Sequence, residues 1–264
     1  AMPESGPNNE VDFALMFSGA VFLFTSKDQF GHTALRGDRL PMLESIQSES
    51  ERSAVDQILQ RGGSVCVRDE HAIAARMLFD VPKSDFDYYD DRPLPTDDDL
   101  RPLRNLPHLY SLELLANCFS DEGLALLSEL QNLRVLRLSV NGVGRRYDSA
   151  AIELSGPIRG DGLRHISKMQ SLEDLGLSDT EVDNSSLRHL IVLKRLRSID
   201  MWNTRISVTG LTADGASSLS EIPALKDVYI EHRAVSSKVA TMLRRNRPEI
   251  DFHFEDGQTI APEK

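Results

Sequence analysis

The chain has 264 residues, of which 40% are hydrophobic and 27% charged, a composition typical of a globular protein and not of a fibrous or disordered one. Its 41 acidic and 30 basic residues give a formal net charge of -11, which disfavours binding to nucleic acid and to anionic membrane surfaces. Two cysteines, Cys66 and Cys118, exclude a disulfide framework and a four-ligand zinc site.

Residues 1–10 are predicted to be disordered, and an apolar segment follows at residues 11–25. A Ser-Gly pair inside this segment would turn a hairpin, but a helix is equally allowed. The segment is too short to cross a bilayer, which takes about 20 apolar residues. Packing onto the rest of the fold is therefore the favoured role, with shallow membrane attachment and partner binding as alternatives.

The next part of the chain combines helical and extended patterns. Residues 48–61 have amphipathic spacing, begin with a capping-box serine and end at two glycines, which predicts a helix. Residues 64–67 alternate as a strand does, and residues 72–79 are apolar enough for either a helix or a strand. We expect residues 11–84 to form an N-terminal α/β cap.

From residue 109 onward one phrase recurs, Leu-x-x-Leu-x-Leu-x-x-(Asn/Thr)-x-(Val/Ile/Phe). Four copies begin at Leu109, Leu133, Leu172 and Leu196, and a fainter copy begins at Leu225. Two of the intervals are 24 residues, whereas those of 39 and 29 residues correspond to the same repeat with insertions of 15 and five. The alternating Leu-x-Leu predicts a short strand that buries one face.

The second half of each unit predicts a short helix. Leucines recur there every three residues, and polar residues that can cap a helix precede them, as Asp161 and Asp183 do. One strand and two helical turns cannot bury their own apolar stripe, so neighbouring units must stack. The Asn or Thr of each copy is expected to bond the turn backbone of the neighbouring unit: Asn117, Asn141, Thr180 and Thr204.

The phrase resembles the leucine-rich repeat, most closely the bacterial arrays with a helical convex side and an Asp-x-Gly-Leu start, as in residues 121–124. The resemblance covers about residues 85–254. It implies an α/β solenoid, a right-handed βα superhelix with a parallel sheet on the concave side and helices on the convex side. It implies a recognition surface and no reaction.

Atypical units are expected at the two ends of the array. Residues 86–88 suggest the strand of a degraded first repeat, and residues 236–247 suggest a longer closing helix. Phe252 and Phe254 lie 24 residues after Val228 and Ile230, which predicts a last strand. The boundaries are therefore a cap at 11–84, a solenoid at 85–254 and a loose tail at 255–264.

Residues that alternate with the buried leucines must point out of the concave face. They bring the only tryptophan of the chain beside a tyrosine and several carboxylates, which favours an interaction hot spot for a basic or amphipathic protein partner. The candidate contact residues are Glu113, Leu115, Arg137, Asp174, Asp200, Trp202, Asp227, Tyr229 and Glu231. His253 continues the middle row of this face.

The insertion at about residues 144–158 leaves the solenoid between a strand and a helix. Arg145, Arg146 and Tyr147 could contact a partner, because loops on rigid scaffolds often carry recognition. Tolerated growth of the loop explains the insertion equally well.

Signatures of hydrolases, metalloproteases and phosphate-binding loops are absent from the sequence, and the seven histidines show no metal spacing. We therefore expect a non-catalytic protein–protein interaction module, monomeric and cytoplasmic, with no cofactor, no metal and no nucleic-acid partner. The alternatives are a structural or membrane-attached scaffold that uses the apolar segment 11–25, or an enzyme whose site lies in the N-terminal region. A deep polar pocket between residues 11–80 and the first repeats would favour the enzyme.

Overall fold

The computed structural model describes residues 21–27, 33–35, 40–61, 63–78, 96–115, 119–139, 158–254 and 259–260. The strands in these ranges form one eleven-stranded sheet, and from the strand at His71–Leu78 to the strand at Thr259–Ile260 their spatial order follows the chain. The array and the region before it therefore share a single sheet.

The described residues of the N-terminal region form four strands and two helices. Helix α2 begins after Ser48, whose Oγ accepts a hydrogen bond from the Glu51 N–H at 3.3 Å, as the capping pattern predicts. Residues 72–79, ambiguous in sequence, lie mostly in a strand. The elements are β1 (Val21–Lys27), β2 (Thr33–Leu35), α1 (Leu40–Ser45), α2 (Glu49–Gln60), β3 (Ser64–Arg68) and β4 (His71–Leu78).

The repeats alternate short strands with short helices, as the Leu-x-Leu phrase and the leucine spacing predict. The strands are β5 (Ser111–Leu115), β6 (Val135–Ser139), β7 (Asp174–Gly176), β8 (Ser198–Asp200), β9 (Asp227–Tyr229), β10 (Asp251–His253) and β11 (Thr259–Ile260). The α-helices are α3 (Gly123–Leu127), α4 (Leu163–Ile166), α5 (Arg205–Thr209), α6 (Ala213–Glu221) and α7 (Ser237–Asn246). The 3₁₀ helices are Asp97–Asn105, Gly160–Gly162, Ser186–Leu190 and His232–Ala234.

Strands β4 to β10 are parallel and hold one register. Leu112 lies beside Leu136, which lies beside Leu175, and the row continues through Ile199 and Val228. Equal steps along the sequence thus become neighbouring positions in space, and the insertion between β6 and β7 does not shift the register.

The core lies between the sheet and the helices, and it is continuous from Ile46 to Phe254. The leucines of the phrase and of the helices are buried; Leu177, Leu190 and Leu196 are fully inaccessible. Each such side chain contributes about 1.5–3 kcal/mol of burial free energy, which a single unit alone would not gain.

The helices are shorter than the sequence suggests, and some are 3₁₀ helices. Leucines that recur every three residues match the three-residue turn of a 3₁₀ helix better than the 3.6-residue turn of an α-helix. Leu187 and Leu190 accordingly lie in the 3₁₀ helix Ser186–Leu190.

The threonines of the phrase bond their own turn, not that of the neighbouring unit. Thr180 Oγ1 donates to the Leu177 carbonyl at 2.7 Å, and Thr204 Oγ1 donates to the Met201 carbonyl at 2.9 Å. The carbonyl three residues earlier is the nearest free acceptor after each strand ends, so the local bond forms. Asn117 and Asn141 lie outside the described residues.

The two ends of the array differ from the expected pattern. On its N-terminal side β5 pairs with β4, the position expected for the strand of a first repeat. Residues 86–88, which were predicted to form that strand, lie outside the described residues. In the expected tail, Thr259–Ile260 pairs antiparallel with β10 and adds an edge strand. No helix among the described residues is long and apolar enough to cross a bilayer; residues 11–20 are not among them.

Candidate functional site

The face of the sheet opposite the helices, called here the open face, displays the residues that alternate with the core. Its middle row contains Arg76, Glu113, Arg137, Gly176, Asp200, Tyr229 and His253 in neighbouring positions. A parallel row contains Ser111, Val135, Asp174, Ser198, Asp227 and Asp251. The register thus brings residues from seven strands onto one surface.

At the β4 end of the open face, Arg76 and Glu113 form an ion pair with each other. Arg76 Nε lies 2.9 Å from Glu113 Oε2, and the two side chains are only 11% and 12% exposed. Glu113 was expected to contact a partner, but its carboxylate already neutralises a buried guanidinium.

The centre of the open face is formed by Arg137, Gly176 and two aspartates. Because Gly176 has no side chain, Arg137 can pack over it: a Cβ added to Gly176 would lie only 3.3 Å from the Arg137 Cγ. Arg137 Nη2 lies 3.7 Å from Asp174 Oδ2, and both side chains are partly exposed. The Arg137 guanidinium therefore interacts with two carboxylates, those of Asp174 and Asp200.

The carboxylates of this centre carry unusual pKa values. Burial raises the pKa of Asp174, with Asp227 adding to the rise and Arg137 opposing it. Burial also raises the pKa of Asp200, against hydrogen bonds from the Trp202 N–H and from Ser178. The region therefore has a deficit of positive charge that a cationic group from outside would relieve.

The β10 end of the open face is aromatic. The Tyr229 and His253 rings stack with centroids 4.5 Å apart and an angle of 16° between their planes. His253 Nε2 lies 2.9 Å from Asp227 Oδ1, which fixes the imidazole. Burial raises the pKa of the Tyr229 hydroxyl, and Asp227 is the nearest of three aspartates that add to the effect.

Trp202 lies in the turn that follows β8, at the edge of the open face, and is partly exposed. Its N–H donates to Asp200 Oδ1 at 3.1 Å, and its carbonyl accepts from the Asp179 N–H at 2.9 Å. The preceding Met201 N–H donates to the Tyr229 carbonyl at 2.9 Å. These hydrogen bonds fix the backbone of Trp202 between the turn that follows β7 and the end of β9.

Glu231 does not belong to the exposed surface and corrects the sequence prediction. Its side chain is buried, its Oε1 accepts from the Asn203 N–H at 2.6 Å, and its Oε2 accepts from the Ser207 hydroxyl. The strand ends at Tyr229, so strict alternation no longer applies two residues later. Glu231 instead joins the turn of its own unit to that of the preceding one.

Four other predicted residues are not placed. The backbone of Leu115 lies in β5, but its side chain is outside what the structure describes, as are Arg145, Arg146 and Tyr147.

The sequence did not indicate a cleft of about 620 Å³ where the β3–β4 turn meets the starts of β5 and β6. The rings of His71 and His108 lie 3.9 Å apart at its wall, and the buried Glu51 carboxylate binds His71 Nδ1 at 3.1 Å. These residues are far apart in sequence and share no motif, so no local signal could have found them. The lining residues are Arg68, Asp69, His71, Ile73, His108, Tyr110 and Val135.

Of the described residues that line the cleft, two are histidines and none is Ser, Thr or Cys, the residues whose hydroxyl or thiol could act as a nucleophile. Among the described residues no group of three or more His, Cys, Asp or Glu side chains is arranged to hold a metal ion.

The recurring phrase, the 24-residue step and the single strand register are together the features of a leucine-rich repeat array, which this chain resembles. No family model matches the sequence, and no curated protein does. Among solved structures, an internalin (inlF) from Listeria monocytogenes matches at 17% identity and a TM-score of 0.38, covering 58% of this chain and 36% of its own.

A protein from Bacteroides fragilis matches at 20% identity and a TM-score of 0.38, over 58% of this chain and 43% of its own. Internalin C2 from Listeria monocytogenes matches at 14% identity and a TM-score of 0.38, over 81% and 85% of the two chains. This chain spans less than half of the first two proteins. All three TM-scores are low, and the resemblance to the leucine-rich repeat rests on the repeat and the strand register of the chain itself.

Proposed function

We propose that this protein is a non-catalytic interaction module that binds a basic or amphipathic polypeptide on the open face of its sheet. One observation carries the proposal. A single register sets Arg137, Asp174, Asp200, Asp227 and Tyr229 side by side on a partly exposed surface, with Trp202 at its edge.

The chemistry of this surface supports a cationic partner. Three aspartates share one arginine and one histidine, and burial raises the pKa values of Asp174 and Asp200, with a smaller contribution from a neighbouring aspartate in each case. Aromatic side chains beside such charges are the usual components of an interaction hot spot. A lysine or arginine of the partner would gain Coulomb attraction and ring contact together.

The boundaries follow from this function. Residues 85–254 would be the binding array, with a concave sheet and a convex helical side, and residues 11–84 would be its cap. The insertion with Arg145, Arg146 and Tyr147 would extend the contact. We propose a cytoplasmic monomer that needs no cofactor.

The test compares the captured partner's affinity for the wild type and for a Trp202→Ala/Tyr229→Ala double variant. A hot spot costs at least about 2 kcal/mol, a rise in Kd of about 30-fold. Tyr110→Ala is the control, because Tyr110 is 36% exposed and precedes β5, so it belongs to neither row of the open face. Its affinity should stay close to that of the wild type.

A change of less than about twofold in the double variant refutes the proposed face, since it lies far below the hot-spot threshold. An equal loss in Tyr110→Ala would instead indicate unspecific aromatic adhesion. The charge contribution is checked with Asp174→Asn/Asp227→Asn, which should weaken binding at low salt more than at high salt.

A further inference from the structure

A group of cations lies on the helical side of the sheet, in the two units that end at β7 and β8. Arg164 and Arg188 are 24 residues apart and occupy the same position in adjacent units. Helix α4 packs against the 3₁₀ helix Ser186–Leu190, so the two arginines belong to one surface. The basic strip, as it is called here, consists of Arg164, Lys168, Arg188, Lys194 and Arg195, all exposed.

Among the described residues the cations of the basic strip form no salt bridge, although hydrogen bonds, and to a lesser extent the charge of Arg164, lower the pKa of Glu122. Arg134 and Arg159, in contrast, pair with Glu173 and Glu181, each at 3.3 Å. Within the described part of the chain no member of the basic strip forms an ion pair. The chain has 41 acidic and 30 basic residues, so unpaired cations grouped together are not explained by a shortage of carboxylates.

Neighbouring groups respond to this positive charge. Burial lowers the pKa of His165, and Arg164 and Lys168 lower it further because they disfavour a second positive charge nearby. Val192 lies in the same units and is 51% exposed, which adds an apolar contact point.

A polar cleft of about 510 Å³ adjoins the basic strip at Arg188. Two of its three acids are engaged: Glu181 pairs with Arg159, and Asp183 Oδ1 accepts from Ser185 Oγ at 2.9 Å and from the Ser186 N–H at 3.0 Å, whereas Asp161 is exposed at the rim. Among the described residues Arg188 and Arg205 form no salt bridge with a carboxylate. The cleft is lined by Arg159, Gly160, Asp161, Glu181, Asp183, Ser185, Ser186, Arg188, His189 and Arg205.

We propose that the basic strip and this cleft form a second docking surface, which binds a short acidic polypeptide segment. A carboxylate of the segment would lie between Arg188 and Arg205, and an apolar side chain would cover Val192. The charge is opposite to that of the open face, on the other side of the sheet, so the two surfaces select different partners.

The width of the basic strip decides between a peptide and a larger polyanion. Glu122 and Glu129 flank it in the preceding unit, and Asp214 and Glu221 flank it in the next. Neighbouring helical segments pack about 8–10 Å apart, so the basic strip is narrow across the units. A nucleic acid or an anionic membrane would meet these carboxylates and the net charge of -11, whereas a peptide that lies along the strip would contact fewer of them.

The experiment measures binding of a labelled, end-capped peptide of five glutamates and two leucines by fluorescence anisotropy. We expect binding at low ionic strength that weakens between about 20 and about 300 mM salt. Arg188→Glu/Lys194→Glu should raise Kd at least about tenfold, because two attractive contacts become repulsive.

Arg244→Glu/Arg245→Glu is the matched control, since these exposed arginines of α7 give the same change in net charge at another place. Wild-type-like affinity in this control, with loss in the first variant, supports the basic strip. Equal loss in both variants, or no binding by the wild type at low salt, overturns it. Tighter binding of a single-stranded oligonucleotide or of phosphatidylserine vesicles overturns the peptide assignment, and Asp200→Asn should leave peptide affinity unchanged.

Discussion

At the scale of single residues, one side chain per unit connects each repeat to the next. The Arg159 N–H donates to Asp121 Oδ1 at 2.8 Å, and the Thr212 N–H donates to Asn184 Oδ1 at 2.9 Å. These acceptors satisfy backbone donors where a helical segment begins and has no internal partner. They also explain the Asp-x-Gly-Leu start, since a glycine of the next unit must leave room for the carboxylate of the unit before it.

Gly162→Ala tests this close approach. A Cβ at Gly162 would stand 2.5 Å from Asp121 Oδ1 and 2.7 Å from Leu124 Cδ1. We expect a loss of about 1–3 kcal/mol in the free energy of unfolding, although alanine normally favours a helix. Urea unfolding measures the change. When Asp121→Ala is already present, Gly162→Ala should lower the free energy of unfolding by clearly less. If the effects of the two substitutions simply add, the contact between the two residues is contradicted.

Asp200 predicts a dependence of stability on pH. Because its pKa is raised in the folded state, the folded protein holds the proton more tightly than the unfolded chain does. The resulting stabilisation is present below the unfolded pKa and is lost as the pH rises through the folded pKa. At neutral pH the ionised carboxylate therefore opposes folding.

Asp200→Asn should accordingly raise the free energy of unfolding at pH 7 by about 0.5 kcal/mol, since the charge is partly screened by solvent. The amide keeps an acceptor for the Trp202 N–H. The gain should shrink as the pH falls toward about 3.9, the ordinary pKa of aspartate. Thermal unfolding at several pH values measures it, and a gain that grows toward acid pH would refute the sign.

At the scale of elements, the end of α6 is held by a residue from the following unit. Arg247 Nη1 donates to the carbonyls of Ser220 at 2.7 Å and Ile222 at 3.1 Å, and Nη2 donates to that of Leu225 at 3.3 Å. The last carbonyls of a helix lack internal donors, and a guanidinium there also favours the negative end of the helix dipole. The extra five residues of this unit therefore form a second helix with a defined end.

Arg247→Ala should lower the free energy of unfolding by about 1.5–3 kcal/mol, because a charged donor to three carbonyls is lost. Arg247→Lys should restore only part of it, since an ammonium cannot reproduce the planar fork. Arg245→Ala, at an exposed site of the same region, should change stability by less than about 0.5 kcal/mol. Equal effects of the two alanine variants would contradict the capping role.

At the scale of the whole molecule, the core does not divide into separate units. It runs without interruption from Ile46 to Phe254, and one sheet connects the N-terminal strands with the last repeat. Each unit exposes apolar surface if its neighbour unfolds, so unfolding is expected to be cooperative across the array. The same continuity keeps the rows of the open face in register.

Leu177→Ala tests this cooperativity. Leu177 is fully buried, and its removal should cost about 2–5 kcal/mol. The unfolding curves from Trp202 fluorescence and from far-UV circular dichroism should shift together. Val208→Ala, at a site that is 62% exposed, should leave both curves unchanged. Separate transitions for the two probes would show that the repeats unfold independently.

The sequence by itself determined the strands, the 24-residue step and the buried leucines, because these depend on local periodicity and on burial that repeats with the chain. The rows of the open face follow from the same periodicity. The tertiary structure alone decided that Glu113 is neutralised by Arg76, that Glu231 is buried between two turns, and that Glu51, His71 and His108 meet at a cleft. These outcomes depend on pairing between distant segments and on where a strand ends, and neither is encoded in the spacing of nearby residues.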